Sequence, residues 1–146
     1  ILVGTGPLEE KVRSKVADKG LTESVQFLGN RKDMNRIYQA MDIFVFPSLF
    51  EGLGIVAIEA QAAGVPIVCS EGLPPETDIT PIYRKLMLSD CAEKWAEAAI
   101  EMAQSSKAHT NMQKYIIDAG FDMNATAKNM EEYYLEKEAQ IREKNK

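Results

Sequence analysis

Short apolar segments, bounded by glycine, proline or polar residues, alternate with helical patterns along most of this chain of 146 residues. The apolar segments are residues 1–3, 25–29, 43–46 and 66–70, and residues 84–88 are interpreted as a last short strand. The continuous apolar runs at 43–46 and 66–70 predict strands buried on both faces. The helical patterns end at Gly20, Gly64 and Gly120, and one predicted helix has a face formed by Met34, Ile37, Tyr38 and Met41. Strands that alternate with helices of about ten residues favour parallel strands joined by right-handed crossovers. The alternation therefore predicts an α/β fold with a doubly wound parallel sheet.

The composition excludes several classes of protein. Apolar residues make up 45% of the chain and the net charge is −5, so we expect a folded domain and no nucleic-acid partner. The two cysteines, Cys69 and Cys91, have no C-x-x-C spacing, and His109 is the only histidine, so no metal site is predicted. We expect both thiols to be buried and reduced in a cytoplasmic protein. No apolar run reaches the length of a membrane span.

Residues 47–70, which read PSLFEGLGIVAIEAQAAGVPIVCS, place two carboxylates around a predicted helix start. Glu51 lies in a loop of proline and glycine, and Glu59 lies about 7 Å along the helix axis from Gly54. The amides of Gly54, Ile55 and Val56 would then face an anion such as a phosphate. A diphosphate at the helix start, with a sugar near Glu51 and a ribose at Glu59, would use both acids.

A second interpretation of the same two glutamates stays open. Glu51 alone would be favourable as a negative charge near a helix N-terminus, and Glu59 would be a solvated surface acid. Neither role needs a ligand. The spacing of the two acids does not by itself choose between these interpretations.

Glycines at the ends of the earlier strands are further candidates for ligand contact, because ligands bind at the carboxyl ends of parallel strands. Gly4 and Gly6 border a loop that enters a helix, which would allow either a phosphate or a simple helix cap. Arg31, after the next strand, would meet a base or phosphate, or remain a solvated charge. A nicotinamide-binding loop is disfavoured because Glu9 occupies the third glycine position of G-x-G-x-x-G.

The chain resembles the retaining glycosyltransferases of the GT-B fold, family 4, also called glycosyl transferases group 1. The residues that carry the resemblance are 43–48, 51–54, 59–60 and 64–68, which read IFVFPS, EGLG, EA and GVPIV. Segments 1–7 and 25–29 resemble the preceding strands of that family in order and spacing. The resemblance implies a Rossmann-like domain, the C-terminal half of the GT-B fold, that lacks its first strand. The sequence of residues 72–76, GLPPE, is similar to the corresponding sequence in family members that build polysaccharides.

Roles for individual residues follow from the resemblance. It implies that Glu51 approaches the donor sugar as the catalytic residue and that Glu59 holds the ribose hydroxyls. The turn and helix start at Gly52, Leu53, Gly54, Ile55 and Val56 would contact the sugar and the phosphates. Residues around Leu28 to Asp33 would frame the base. The family uses a nucleotide-diphosphate sugar as donor, retains the configuration at the sugar and requires no metal or other cofactor.

The resemblance also sets the expected domain organisation. We divide the chain into a nucleotide-sugar-binding domain, residues 1–122, and an amphipathic helix, residues 123–146, that packs back on that domain. We expect the chain to be a truncated donor-binding domain, given without the acceptor-binding N-terminal domain of the family and without the Arg and Lys pair that grips the diphosphate. We therefore expect the chain alone to be inactive. Through the absent domain, the protein would transfer a sugar to a polysaccharide or lipid-linked acceptor at the inner membrane face. The alternative is a non-catalytic nucleotide-sugar-binding or assembly module.

Overall fold

A computed structural model describes residues 1–105 and 109–144 of the chain. Their helices and strands are α1 Glu9–Asp18, α2 Met34–Tyr38, β1 Phe44–Phe46, α3 Ile55–Ala62, β2 Ile67–Ser70, a 3₁₀ helix Pro75–Thr77, β3 Tyr83–Leu86, α4 Ala92–Ser105, α5 Gln113–Asp118 and α6 Met123–Lys144. The chain forms two compact units, Ile1–Ile37 and Tyr38–Lys146. The predicted α/β class is confirmed, with parallel strands between helices.

The first unit pairs the two apolar segments nearest the N-terminus. Leu2 and Phe27 form a parallel bridge, with Leu2 N–H donating to Gln26 O at 2.8 Å and Leu28 N–H donating to Leu2 O at 2.9 Å. Each predicted strand is thus reduced to a single bridge. Helix α1 lies between these two segments in the chain. It ends before Gly20, whose φ of 67° closes the helix as the sequence predicts.

The second unit contains a parallel sheet in the order β1-β2-β3. Phe44 is aligned with Ile67, and Ile67 is aligned with Tyr83. All four residues of β2 are buried, as expected for the central strand of a covered sheet. The prediction that residues 43–46 are covered on both faces is wrong, because Val45 of the edge strand β1 is 41% exposed.

Helix α3 packs its apolar face against the sheet. Ala57 joins Ile67, Cys69 and Leu73 in one buried cluster, against which aromatic residues of β1 and β3 also pack. The helix ends before Gly64, whose φ of 72° turns the chain so that Val65 N–H donates to Ala60 O at 3.0 Å. This packing holds the backbone of α3 against the sheet and thereby positions the loop that precedes it.

Helix α6 begins after Asp122, whose Oδ1 accepts a hydrogen bond from Ala125 N–H at 2.7 Å. None of its residues is buried, and Tyr134 and Leu135 of the predicted apolar stripe are 63% and 60% exposed. The described part of α6 therefore lacks the packing against the domain that the sequence led us to expect. An amphipathic period predicts a covered face without specifying what covers it. The division at residues 122 and 123 stays a prediction, and residues 145–146 lie outside the described residues.

The two cysteines differ in environment. Cys69 is buried in β2, and its Sγ lies 3.6 Å from Arg84 O; burial raises the pKa of its thiol. Cys91 is exposed, so the prediction of two buried thiols is wrong for this residue. Cys91 directly precedes α4, and the residues around it form no apolar pattern that would predict its burial.

Among the described helices, none is both long and apolar enough to cross a bilayer.

Candidate functional site

The loop between β1 and α3 depends on a glycine at its last position. Gly54 is buried, precedes the first residue of α3 and has φ 71° and ψ 46°. These are left-handed angles that residues with a Cβ rarely adopt. A Cβ at Gly54 would lie 3.6 Å from the Cβ of Glu51, so the Glu51 side chain starts beside the helix N-terminus.

The start of α3 is open to a ligand. Ile55 is 59% exposed and Leu53 is 39% exposed, while Gly52 has no heavy atom near the position of a Cβ. The amides of Ile55 and Val56 lie in the first turn, where an α-helix offers them no carbonyl partner. Such a turn favours an anion. The loop and the first turn thus form a surface that a phosphate can approach.

Glu59 lies on the exposed stripe of α3. Ile55, Glu59 and Ala62 are exposed, whereas Ala57, Ile58, Ala60 and Gln61 are buried. The Glu59 carboxylate nevertheless has a fixed partner, because the hydroxyl of the buried Tyr38 donates to its Oε2 at 3.1 Å. Glu59 is therefore a solvated acid, as the second interpretation has it, and its carboxylate is also held by a buried side chain.

The Tyr38 hydroxyl remains a donor at neutral pH. Burial raises the pKa of Tyr38, and the neighbouring negative charge of Glu59 and the hydrogen bond to it raise the pKa further. A phenol in this setting keeps its proton and donates a hydrogen bond to the carboxylate.

Glu51 is held by residues at the ends of β1 and β2. The Ser48 hydroxyl donates to Glu51 Oε1 at 2.7 Å. The Ser70 hydroxyl, at the end of β2, donates in turn to the Ser48 carbonyl oxygen. Two serines thus connect the carboxylate of Glu51 to the central strand of the sheet.

Gly72 allows the loop after β2 to contact the loop that carries Glu51. A Cβ on Gly72 would lie 2.6 Å from the carbonyl oxygen of Leu49 and 3.1 Å from that of Ser48. Because both neighbours are backbone atoms, neither can rotate away. A glycine is required here by the close approach of two backbones.

We expect Gly72→Ala to lower the free energy of unfolding by about 2 kcal/mol, because the added methyl overpacks the two loops. Chemical denaturation measures this change. Gly52→Ala is the matched control for stability, since a Cβ there meets no atom within 4 Å. Equal stability of the two variants would contradict the close packing of Gly72 against Leu49.

The first unit contains the remaining candidates. Gly4 N–H donates to Gly29 O at 2.8 Å, so the predicted glycine turns at the ends of the two strands meet. Leu28 directly precedes Gly29 and donates its N–H to Leu2 O at 2.9 Å. Gly4 and Gly6 border a surface cavity of about 410 Å³ that Leu2 and Phe27 also line. The contacts of Gly4, Gly6 and Leu28 with a ligand stay predictions.

Arg31 is engaged with Asp33. Arg31 Nε and Nη2 donate to the two Asp33 carboxylate oxygens at 2.8 and 2.7 Å. This pairing lowers the pKa of Asp33 and raises that of Arg31. The contact of Arg31 with a base or phosphate stays a prediction, and such a contact would compete with the aspartate.

The sequence does not reveal the residues that hold the two glutamates. It predicts that Tyr38 lies on the apolar face of its helix, and it gives no role for Ser70. The available signal was the hydroxyl of Tyr38, because a buried tyrosine normally has a hydrogen-bond partner. Nothing in the sequence identifies Glu59 as that partner, since 21 positions separate the two residues.

Comparison with known proteins identifies the family. Residues 1–105 match the family described as "Glycosyl transferases group 1". The chain belongs to this family. The match includes both glutamates, the loop between them and the two glycine turns of the first unit.

The relatives of this group 1 chain are longer proteins. It is 36% identical over 112 residues to a GDP-mannose-dependent monoacylated alpha-(1-6)-phosphatidylinositol monomannoside mannosyltransferase of Corynebacterium glutamicum, covering 70% of this chain and 29% of that protein. It is 33% identical over 120 residues to a D-inositol 3-phosphate glycosyltransferase of Mycobacteroides abscessus, covering 75% of this chain and 26% of that protein.

Solved structures show the same fold. HepE of Anabaena, in complex with UDP-glucose, matches with a TM-score of 0.73 at 21% identity over 92% of this chain and 40% of that one. The sucrose-phosphate synthase of Thermosynechococcus elongatus matches with a TM-score of 0.75 at 24% identity, over 95% of this chain and 38% of that one. These likenesses agree with a Rossmann-like domain of a GT-B glycosyltransferase.

Proposed function

We propose that this chain binds the donor, a nucleotide-diphosphate sugar, in a retaining hexosyltransferase of family 4. The observation that carries the proposal is the pair of carboxylates around the start of α3, each held by a hydroxyl group of the protein. Tyr38 holds Glu59 at 3.1 Å, and Ser48 holds Glu51 at 2.7 Å. Fixed acceptors on both sides of an anion-binding turn match a diphosphate between two polyols.

Each part of the site has a chemical task in this proposal. The diphosphate lies at the amides of Ile55 and Val56, where the helix dipole stabilises the negative charge that develops as the sugar leaves. Glu59 accepts hydrogen bonds from the ribose hydroxyls. Glu51 accepts hydrogen bonds from the donor sugar and orients its anomeric carbon. The amides and the helix dipole perform the task that a metal ion has in other transferases, so the reaction requires no metal.

The acceptor is a polysaccharide or a lipid-linked sugar that a second domain of a longer protein binds. In support, the chain covers only 29% of its C. glutamicum relative, whose name specifies a phosphatidylinositol mannoside. We place the protein in the cytoplasm, in peripheral contact with the inner membrane face through that second domain. By itself, the chain binds the donor without transferring its sugar.

A titration with nucleotides tests the proposal. We expect UDP or GDP, at 100 times its dissociation constant, to stabilise the chain by about 2.7 kcal/mol and raise its thermal midpoint by several degrees. The matching nucleoside monophosphate is the control, because it lacks the second phosphate for the helix start and should bind more weakly. The proposal fails if neither diphosphate changes the midpoint.

A further inference from the structure

We propose that Tyr38 is a positioning residue that orients the Glu59 carboxylate for the two hydroxyls of a ribose. The inference rests on the function proposed above and adds a residue to it. Tyr38 lies at the end of α2, outside the loop and helix that form the site. Its effect on a nucleotide would pass through Glu59.

The ring of Tyr38 is fixed by the core. Tyr38 is 2% exposed, and its ring meets that of Phe44 edge to face, with centroids 6.0 Å apart and an angle of 80° between the planes. Its hydroxyl lies 3.1 Å from Glu59 Oε2 and 3.3 Å from the carbonyl oxygen of Val56. The hydroxyl of a buried and packed side chain is therefore in contact with an exposed carboxylate.

An exposed glutamate on a helix normally samples several rotamers, and binding a ligand restricts it at an entropic cost. The hydrogen bond from Tyr38 selects one orientation of Glu59 before a ligand arrives. It occupies one side of Oε2 and leaves Oε1 and the remaining lone pair of Oε2 as acceptors. Two acceptors on a fixed carboxylate suit a vicinal diol, whose two hydroxyls donate side by side.

The negative charge of the acceptor favours this role, although the distance of 3.1 Å is longer than usual for a hydroxyl on a carboxylate. A hydrogen bond to a charged group is stronger than one between neutral groups. Because the phenol stays protonated at neutral pH, Tyr38 donates throughout the physiological range. Under these conditions the hydroxyl does not act on the ligand as a base, and its contact with Glu59 is a hydrogen bond to the carboxylate.

The test combines Tyr38→Phe with removal of the ribose hydroxyls. The probes are UDP and GDP and their 2′,3′-dideoxy analogues, and calorimetric titration gives each dissociation constant. In the unmodified chain, we expect loss of both hydroxyls to weaken binding about 100-fold, as for two hydrogen bonds to a carboxylate. In Tyr38→Phe, the natural nucleotide should bind about tenfold more weakly, and the dideoxy penalty should fall to about tenfold.

Tyr83→Phe is the matched control. It also removes one partly buried hydroxyl, which lies 2.7 Å from Thr77 Oγ1 and contacts neither glutamate. We expect this variant to keep the full dideoxy penalty. The thermal midpoint of each variant reports any general loss of stability, and Tyr38→Phe keeps the ring that packs on Phe44.

The possible outcomes separate the two proposals. If the unmodified chain binds a diphosphate and discriminates against its dideoxy analogue, while Tyr38→Phe keeps the full penalty, the positioning role is wrong and the proposed function stands. If the unmodified chain binds neither UDP nor GDP, the proposed function is wrong and this inference falls with it. A reduced penalty in Tyr38→Phe alone supports both.

Discussion

Replacing Glu59 with alanine is expected to weaken binding of the donor nucleotide about 100-fold. The carboxylate accepts both ribose hydroxyls in the proposed complex, and each hydrogen bond to a charged group contributes about 1.5 kcal/mol. The free energy of unfolding should change by less than about 0.5 kcal/mol, because the side chain is exposed. Tyr38 loses one acceptor in this variant but keeps the carbonyl oxygen of Val56 at 3.3 Å.

Calorimetric titration with UDP and GDP measures the affinity, and chemical denaturation measures the stability. Glu131→Ala is the control, because Glu131 is an exposed acid on α6 and its loss changes the net charge equally. A Glu59→Ala chain that binds the nucleotide as tightly as the Glu131→Ala chain would remove Glu59 from the site. Weak binding by both variants would instead indicate an effect of overall charge.

Replacing Gln61 with leucine is expected to lower the free energy of unfolding by about 4 kcal/mol. Gln61 is fully buried in α3, and its amide makes four hydrogen bonds. Nε2 donates to Ala57 O at 3.0 Å and to Thr77 O at 2.8 Å. Oε1 accepts from the N–H of Thr80 at 3.1 Å and from its hydroxyl at 2.8 Å. Leucine fills a similar volume but satisfies none of these groups.

The expected loss is large because buried polar groups would lose their partners. Each unsatisfied group costs about 1–3 kcal/mol, against a total stability of about 5–15 kcal/mol for a typical protein. Chemical denaturation measures the change. Gln104→Leu on α4 is the control, since Gln104 is exposed and the same substitution there should change stability by less than about 0.5 kcal/mol. A loss below about 1 kcal/mol for Gln61→Leu would contradict the network.

Several features of the fold followed from local sequence signals. Gly20, Gly64 and Gly120 each have positive φ and close a helix where the sequence predicts an end, because only glycine adopts these angles at little cost. The continuous apolar run at β2 predicted a strand buried on both faces, and it is buried at every residue. The helix start after Leu53 was also located to within one residue.

Other features depended on which surfaces meet. Val45 has the same apolar character as the residues of β2, but it lies on an edge strand and is exposed. The stripe of α6 has the period of a packed helix, yet no residue of the described part is buried. Periodicity reports that a face is apolar, and burial requires a second surface that the local pattern does not contain.

The sequence by itself determined the α/β class, the order of the elements, the loop with Glu51 and the position of Glu59 one turn into α3. These depend on backbone angles and apolar periods within a few neighbouring residues. Only the tertiary structure decided that Tyr38 holds Glu59, that Ser70 supports the loop of Glu51 and that Gln61 reaches Thr80. These contacts join residues 19 to 22 positions apart, and only the packing of α3 and the strands brings their polar atoms within hydrogen-bond distance.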